Sequence, residues 1–248
     1  MTNIPNQAQR MKIIGILGGS SDQATADYYR LLNKGMNARL GGWNTAEIII
    51  SSMNFAMSEH FVRNDLWDDC GAYLADKAQG LERAGADFIL CVSNTLHRVA
   101  DRFMTGIDIP FLHIADPTAR AIQAAGLKRV ALLGTRPVMA TDDMKRRYRD
   151  QFGIDILVPD EADQIATDRI IFDELCRGLF TPASKAAYLD LIDRLVMQGA
   201  EGVILGCTEI PLLIEQADRP QVPMFNTLAL HVEAALDLAL RDVAIKQG

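Results

Sequence analysis

No run of apolar residues in this chain approaches the roughly 18 needed to cross a bilayer. Positive charge is also in deficit: 25 Lys and Arg stand against 32 Asp and Glu, a net −7 with no block of either sign. Such a surface suits ordinary solubility, and neither nucleic acid nor an anionic membrane is an expected partner. Cysteine is sparse. Cys70, Cys91, Cys176 and Cys207 are irregularly spaced, and polar Met1–Gln9 lacks the apolar stretch of a secretory signal. The four therefore read as free thiols in a reducing, cytoplasmic setting rather than as a disulfide framework. Residues 1–10 read as a flexible tail. Histidines, acids and cysteines fall at no metal-ligand spacing, so no metal is expected. A Gly-Lys-Ser/Thr phosphate loop and a complete Gly-x-Gly-x-x-Gly fingerprint are both missing, which argues against a nucleotide cofactor.

What the chain does have is aliphatic residues in quantity, 49% hydrophobic over 248 residues, enough for one large core or two small ones. Lys12–Leu17 is a buried-strand pattern halted by Gly18-Gly19-Ser20-Ser21, with helical periodicity from about Thr25 to Leu40. Glu47–Ser52, Ala86–Val92, Ile109–Ile114, Arg129–Leu133, Ile154–Val158, Val203–Gly206 and Val222–Phe225 read as further strands. Helical stretches separate them: 66–83, from Ser93 to about Met104, from the Asp116-Pro117 start, from about Asp142, near 165–177, 182–198 and 227–243. Alternation of this kind means α/β architecture with mostly parallel sheets.

The two halves echo one another. Gly85-Ala86-Asp87 begins eight residues before Ser93, and Gly199-Ala200-Glu201 begins eight before Cys207. Ile16-Leu17-Gly18 matches Leu132-Leu133-Gly134 at an offset of 116; Ser93 and Cys207 lie 114 apart, Pro110 and Pro223 113 apart. A duplicated unit predicts two pseudo-symmetric lobes: residues 11–112 plus 224–248 carrying Ser93, and 113–223 carrying Cys207. Ligands of open α/β sheets collect beyond the carboxyl ends of strands, so Ser93 and Cys207 are expected to face each other across an inter-lobe cleft.

The turn Gly206-Cys207-Thr208-Glu209 follows a buried strand and reads as a helix start, where free N–H groups favour thiolate. Two groups on opposite sides of a substrate suit inversion, one removing a proton and the other returning one. A thiolate nucleophile is the other use of such a cysteine. Backbone N–H groups beside Gly18 and Gly19 are candidates for holding a carboxylate. Cys91, two residues before Ser93, reads as a packed thiol, reaching the site only through a bulge.

Gly15-Ile-Leu-Gly-Gly19, Ser93-Asn94-Thr95-Leu96-His97 and Gly206-Cys207-Thr208-Glu209 together resemble the aspartate/glutamate racemase family, most closely its broad-specificity branch. Phe111–Asp116, Ala131–Thr135, Ile171–Leu175 and Pro223–His231 are also similar. The resemblance implies a cofactor-independent amino-acid racemase that forms a homodimer. Asn94, Thr95 and Thr208 would contact the substrate carboxylate, and Glu209 would lie beside it as a first-turn acid. His97 and His113 would either orient these groups or serve the core.

The chain departs from the family where it carries Ser93 instead of the first cysteine. A hydroxyl is a far weaker acid than a thiol, so Cys207 is the competent base and Ser93 a weakened opposite group; the resemblance implies that Cys207 serves the L side. Around the side-chain subsite, Glu59–Arg63 leaves Arg63 as a cation, but no lysine stands between Asp160 and Asp168. That points to a neutral or polar rather than an acidic side chain. Two alternatives stay open: a single-cysteine decarboxylase or isomerase of the same superfamily, and a catalytically impaired amino-acid-binding protein. If the asymmetry is real, α-hydrogen exchange in D₂O runs much faster for an L-amino acid than for its D-enantiomer. Equal rates, followed by NMR, would contradict it.

Overall fold

The computed structural model describes residues 10–243, so the tail expected over residues 1–10 lies, Arg10 apart, outside the described residues. In chain order the elements are β1 (Ile14–Gly18), α1 (Asp22–Leu40), β2 (Ile48–Ser52), α2 (Phe55–Arg63), α3 (Trp67–Arg83), β3 (Phe88–Cys91), α4 (Ala100–Phe103), β4 (Phe111–Leu112), α5 (Ala115–Ala124), β5 (Arg129–Gly134), α6 (Arg136–Ala140), α7 (Asp143–Phe152), β6 (Asp155–Leu157), α8 (Glu161–Asp173), α9 (Pro182–Met197), β7 (Val203–Gly206), β8 (Met224–Asn226) and α10 (Thr227–Leu240). The strands form two four-stranded sheets, ordered β2-β1-β3-β4 and β6-β5-β7-β8. Every pairing is parallel. This is the α/β fold read from the sequence, two parallel sheets flanked by helices.

The internal repeat survives at the level of single hydrogen bonds. Leu17 lies opposite Cys91, and the residues at the repeat offsets, Leu133 and Leu205, lie opposite each other. Asp87 N–H donates to the Ile13 carbonyl, and Glu201 N–H donates to the Arg129 carbonyl, both at 2.8 Å. The prolines agree as well: the Pro110 carbonyl accepts from Ile89 and the Pro223 carbonyl from Val203, again at 2.8 Å. Even the side chains repeat. The Asp87 carboxylate accepts from the Ile13 N–H, and the Glu201 carboxylate accepts from the Lys128 and Arg129 N–H groups.

In the first unit α1 buries Ala24, Tyr28, Leu32 and Met36, one residue per turn, and α3 buries Cys70, Leu74, Ala78 and Leu81. The Tyr28 hydroxyl lies 2.8 Å from His231 Nδ1, and His231 Nε2 lies 2.9 Å from the Leu112 carbonyl. A carbonyl only accepts, so Nε2 carries the hydrogen and Nδ1 accepts from the phenol. Burial, with a smaller contribution from Cys91, raises the Tyr28 phenol well above its ordinary range and keeps that proton in place. In the second unit the central strands are buried on both faces. Val130, Leu132 and Ile204 pack with Ile122 of α5 and Tyr148 of α7, whereas Ala131, Leu133, Val203 and Leu205 pack with Ile171 of α8 and Leu191 of α9.

Several expectations need correction. The contact units are the chain up to Val92 with Val99–Leu112 and everything from His231, and Ser93–Arg98 with His113–Leu230. Ser93 thus belongs to the second unit, because the side chains beside it bond to Thr135 and Thr227. The segment 224–230 belongs there too, because β8 pairs with β7. Asp116 is not an N-cap. The helix starts at Ala115, and the Asp116 carboxylate takes a two-pronged ion pair from Arg147 at 2.6 and 2.9 Å. Helix α2, unread in the sequence, is capped by the Asn54 side chain. Helix α8 starts at Glu161, four residues early, capped by Asp160.

The turn after β1 tolerates only glycine. Gly19 has φ +84°, and a Cβ there would sit 2.1 Å from the Met53 carbonyl oxygen. Gly41 also has a positive φ, +69°, but a Cβ there would face open space. Gly41→Ala is therefore expected to cost about 1 kcal/mol and Gly19→Ala roughly 3 kcal/mol or more, measured by urea denaturation. Equal losses would show that the Met53 contact relaxes freely.

Candidate active site

Beyond β7 the chain turns at Cys207, Thr208 and Glu209 into a three-residue 3₁₀ turn, Ile210–Leu212. The helix expected here does not form. Pro211 lacks an N–H and restricts Ile210, so the coil stops after one turn. Without a stack of aligned peptides there is no strong dipole to favour thiolate. Cys207 is buried, and burial pushes its thiol well above the ordinary 9.0, the nearby Glu209 charge adding to the rise and the Glu209 N–H opposing it. The expectation of a dipole-activated thiolate is corrected accordingly: this thiol is held protonated.

What the turn builds instead is a thiol–carboxylate pair. Cys207 Sγ donates to Glu209 Oε2 at 3.1 Å, and the Thr208 hydroxyl donates to the same oxygen at 2.7 Å. Glu209 is 3% exposed, and its other oxygen, Oε1, has no partner among the described residues. Tyr188 of α9 packs in the same apolar cluster as Cys207, its hydroxyl likewise buried and unpartnered.

The Ser93 segment is fastened to the carboxyl ends of strands in the same unit. The Thr227 hydroxyl, just after β8, donates to the Leu205 carbonyl of β7 at 2.9 Å and accepts from Asn94 Nδ2 at 3.0 Å. Thr227 has one hydrogen and spends it on Leu205, so the Asn94 nitrogen must face it. Asn94 Oδ1 therefore points elsewhere, buried and unpartnered among the described residues. The Thr95 and Thr135 hydroxyls meet at 2.8 Å. His97 Nδ1 lies 2.7 Å from the Ser93 carbonyl while Nε2 accepts from the Ile114 N–H at 3.1 Å, so both ring nitrogens are committed and His97 pins the backbone of Ser93. His113 stacks edge-on against His97 and accepts from the Ala115 N–H. The Ser93 hydroxyl oxygen accepts weakly from Leu96 N–H at 3.4 Å and so caps the turn that follows. Cys91 is in regular register opposite Leu17, with no bulge.

Three expected site residues belong to the first unit. The Gly19 N–H already donates to Thr25 Oγ1 at 2.8 Å, and the Gly18 carbonyl accepts from Met53 N–H. The carboxylate cradle expected at Gly19 is therefore occupied by Thr25. Arg63, in the last turn of α2, is half-exposed and pairs with Glu59 at 3.2 Å. Sequence reasoning missed Thr135 and Thr227. Their signal was position: each directly follows a parallel strand, where α/β sheets gather ligands.

A duplicated α/β unit, with a thiol at the end of one central strand and its repeat counterpart after the other, defines a class. The Asp/Glu/hydantoin racemase family pattern matches residues 14–235, and the chain belongs to that family. A candidate Asp/Glu racemase from Yersinia pestis is similar at 41% identity and TM-score 0.86, over 93% of this chain and all of that one. An aspartate racemase homologue from Pyrococcus horikoshii OT3, PH1733, is similar at 34% and 0.79, over 92% and 99%. The broad-specificity amino-acid racemase RacX of Bacillus subtilis (strain 168) is 22% identical over 162 residues, 65% of this chain and 69% of that protein.

The raised Cys207 pKa has a direct readout. Below its folded pKa the thiol stays protonated, so peptide-resolved alkylation by iodoacetamide should remain slow through neutral pH and accelerate only above 9.0. Glu209→Gln removes the neighbouring charge and should shift that profile to lower pH. A wild-type midpoint near neutrality would contradict the geometry.

Proposed function

We propose that this protein is an amino-acid racemase that works by acid–base chemistry at the α-carbon, without a cofactor. The observation that carries the reading is the buried Cys207–Glu209 hydrogen bond. A protonated thiol is no base, but one hydrogen-bonded to a carboxylate becomes one when its proton moves to Glu209 Oε2. The sulfur then removes the α-hydrogen of an L-amino acid, and the substrate's negative charge replaces the carboxylate's. The Thr208 hydroxyl holds Oε2 in place throughout.

Ser93 supplies the return proton. Its O–H has no acceptor among the described residues, so it is available to donate, and water afterwards restores it by relaying the proton that Glu209 Oε2 took from the thiol, which returns the carboxylate to its starting state. An alkoxide is costly to form, which makes this the slow half of the cycle. Thr95 contributes a hydroxyl for the substrate carboxylate. The substrate's own side chain is neutral or polar on this reading, because Arg63 is engaged by Glu59, Arg194 by Asp163, and no lysine stands between Asp160 and Asp168.

A second reading rests on the same serine. Protonation of a planar carbanion from one face needs only Cys207, as in a decarboxylase or isomerase. A screen of the twenty amino acids for loss of circular dichroism and for deuterium uptake decides. One or more should racemise; Cys207→Ala should lower that rate at least about 10³-fold, and Ser93→Cys should raise it. Racemisation surviving in Cys207→Ala, or no exchange with any amino acid, would overturn the proposal. No gain from Ser93→Cys would favour the one-thiol reading.

A further inference from the structure

Helices α8 and α9, both in the second unit, border a cavity of about 350 Å³. Neither Cys207 nor the rest of its turn lines it. The α8 residues that do, Asp163, Ala166, Thr167 and Ile170, recur every three or four positions and form one stripe of the helix. Asp168 lies off that stripe, and its carboxylate accepts from the Arg136 N–H at 2.7 Å. The alanines at 166 and 187 fill little of the space, and a void of this size is rare in close-packed protein. It falls within the roughly 300–1,000 Å³ of small-molecule sites.

The lining sorts by depth. Ile170 and Leu191 supply aliphatic surface, and the buried Thr167 and Tyr188 bring two hydroxyls. The Tyr188 hydroxyl has no hydrogen-bond partner, and Thr167 Oγ1 makes no hydrogen bond among the described residues. Buried hydroxyls in that condition are costly unless a further polar group completes them. Asp163, Asp190 and Arg194 stand at the more open end. Arg194 is spent on Asp163, at 2.9 Å. Asp190 is exposed and makes no ion pair among the described residues, so two carboxylates and one guanidinium leave this end negative. We infer that the cavity binds a small organic cation, an ammonium group on a compact apolar body. The body takes the space beside Ala166, Ile170 and Leu191, and the ammonium lies at Asp190. An anion finds no free cation there. A zwitterionic amino acid brings a carboxylate along with its ammonium and so loses the advantage. The site needs no chemistry at Cys207 and stands apart from the racemase reading.

Calorimetric titration of the full chain with 2-phenylethylamine, 2-phenylethanol and 3-phenylpropionate tests this, since the three probes share an apolar body and differ in charge. The amine should bind at least about threefold more tightly than the alcohol, the scale of one exposed ion pair, and the propionate most weakly. Asp190→Asn should bring the amine and the alcohol to within roughly twofold of each other. Ala187→Phe places a ring where the apolar body would lie and should weaken the amine at least about tenfold. Positions 187 and 190 are both exposed, and far-UV circular dichroism of each variant checks that the fold is kept. Cys207→Ala should leave amine binding unchanged, which separates this cavity from the strand rim. Failure of every probe to bind, an alcohol or propionate as tight as the amine, amine binding unaffected by Ala187→Phe in a folded variant, or its loss in Cys207→Ala would each overturn the inference. Racemisation, present or absent, moves none of these results.

Discussion

Everything at the site hangs on the register in which one parallel strand lies beside another. A slip of one residue in a parallel sheet would turn Cys91 outward and send each strand-end residue to the wrong face. Here the register is clamped at the strand starts. The Asp87 and Glu201 carboxylates accept from the N–H groups that open β1 and β5, and their own N–H groups reach back across the same gap. Both clamps work by satisfying backbone donors that a strand end leaves exposed, and hydrogen bonds to a charged acceptor are the stronger kind. With the starts held, chain length alone places the residue that follows β7, and that residue is Cys207.

What surrounds Cys207 is decided by where polar groups find partners. Thr227 has one hydrogen, and committing it to Leu205 orients Asn94. Oε2 of Glu209 takes two donors and leaves Oε1 open. Neither arrangement depends on a helix dipole, and the thiol is accordingly held protonated by burial beside a carboxylate. The pair is a store of basicity that becomes available when a ligand brings its own charge. Ser93 sits in a turn held by His97 and Leu96, with no acceptor for its hydroxyl hydrogen among the described residues.

Much of this was legible in the residues. The duplication showed in Gly85-Ala86-Asp87 against Gly199-Ala200-Glu201, and the structure keeps the same pairs in the same hydrogen bonds. Buried strands announced themselves because both faces are covered, so Val203–Gly206 is continuously apolar. Less legible were short, polar or interrupted pieces. Helix α2 hides in a stretch whose buried positions are only Ser58 and Phe61. The helix after Cys207 was read from a polar pair at a turn, and Pro211, two residues further on, outweighed that signal. Asp116-Pro117 looked like a helix start because local capping chemistry favours it, but the ion pair with Arg147, distant in sequence, claimed the carboxylate.

Residue order was enough to read the α/β class, the repeat, and the chemistry present at the two strand ends, a thiol and a hydroxyl. Those follow from local patterning and from residue identity. Tertiary structure alone decided that Glu209 is the partner of Cys207, that Thr25 occupies the Gly19 N–H, and that Asn94 presents an oxygen rather than a nitrogen. Each of these is a competition among donors and acceptors for a limited number of partners. Which pairing wins depends on atoms brought together from distant parts of the chain, as Thr227 and Asn94 are.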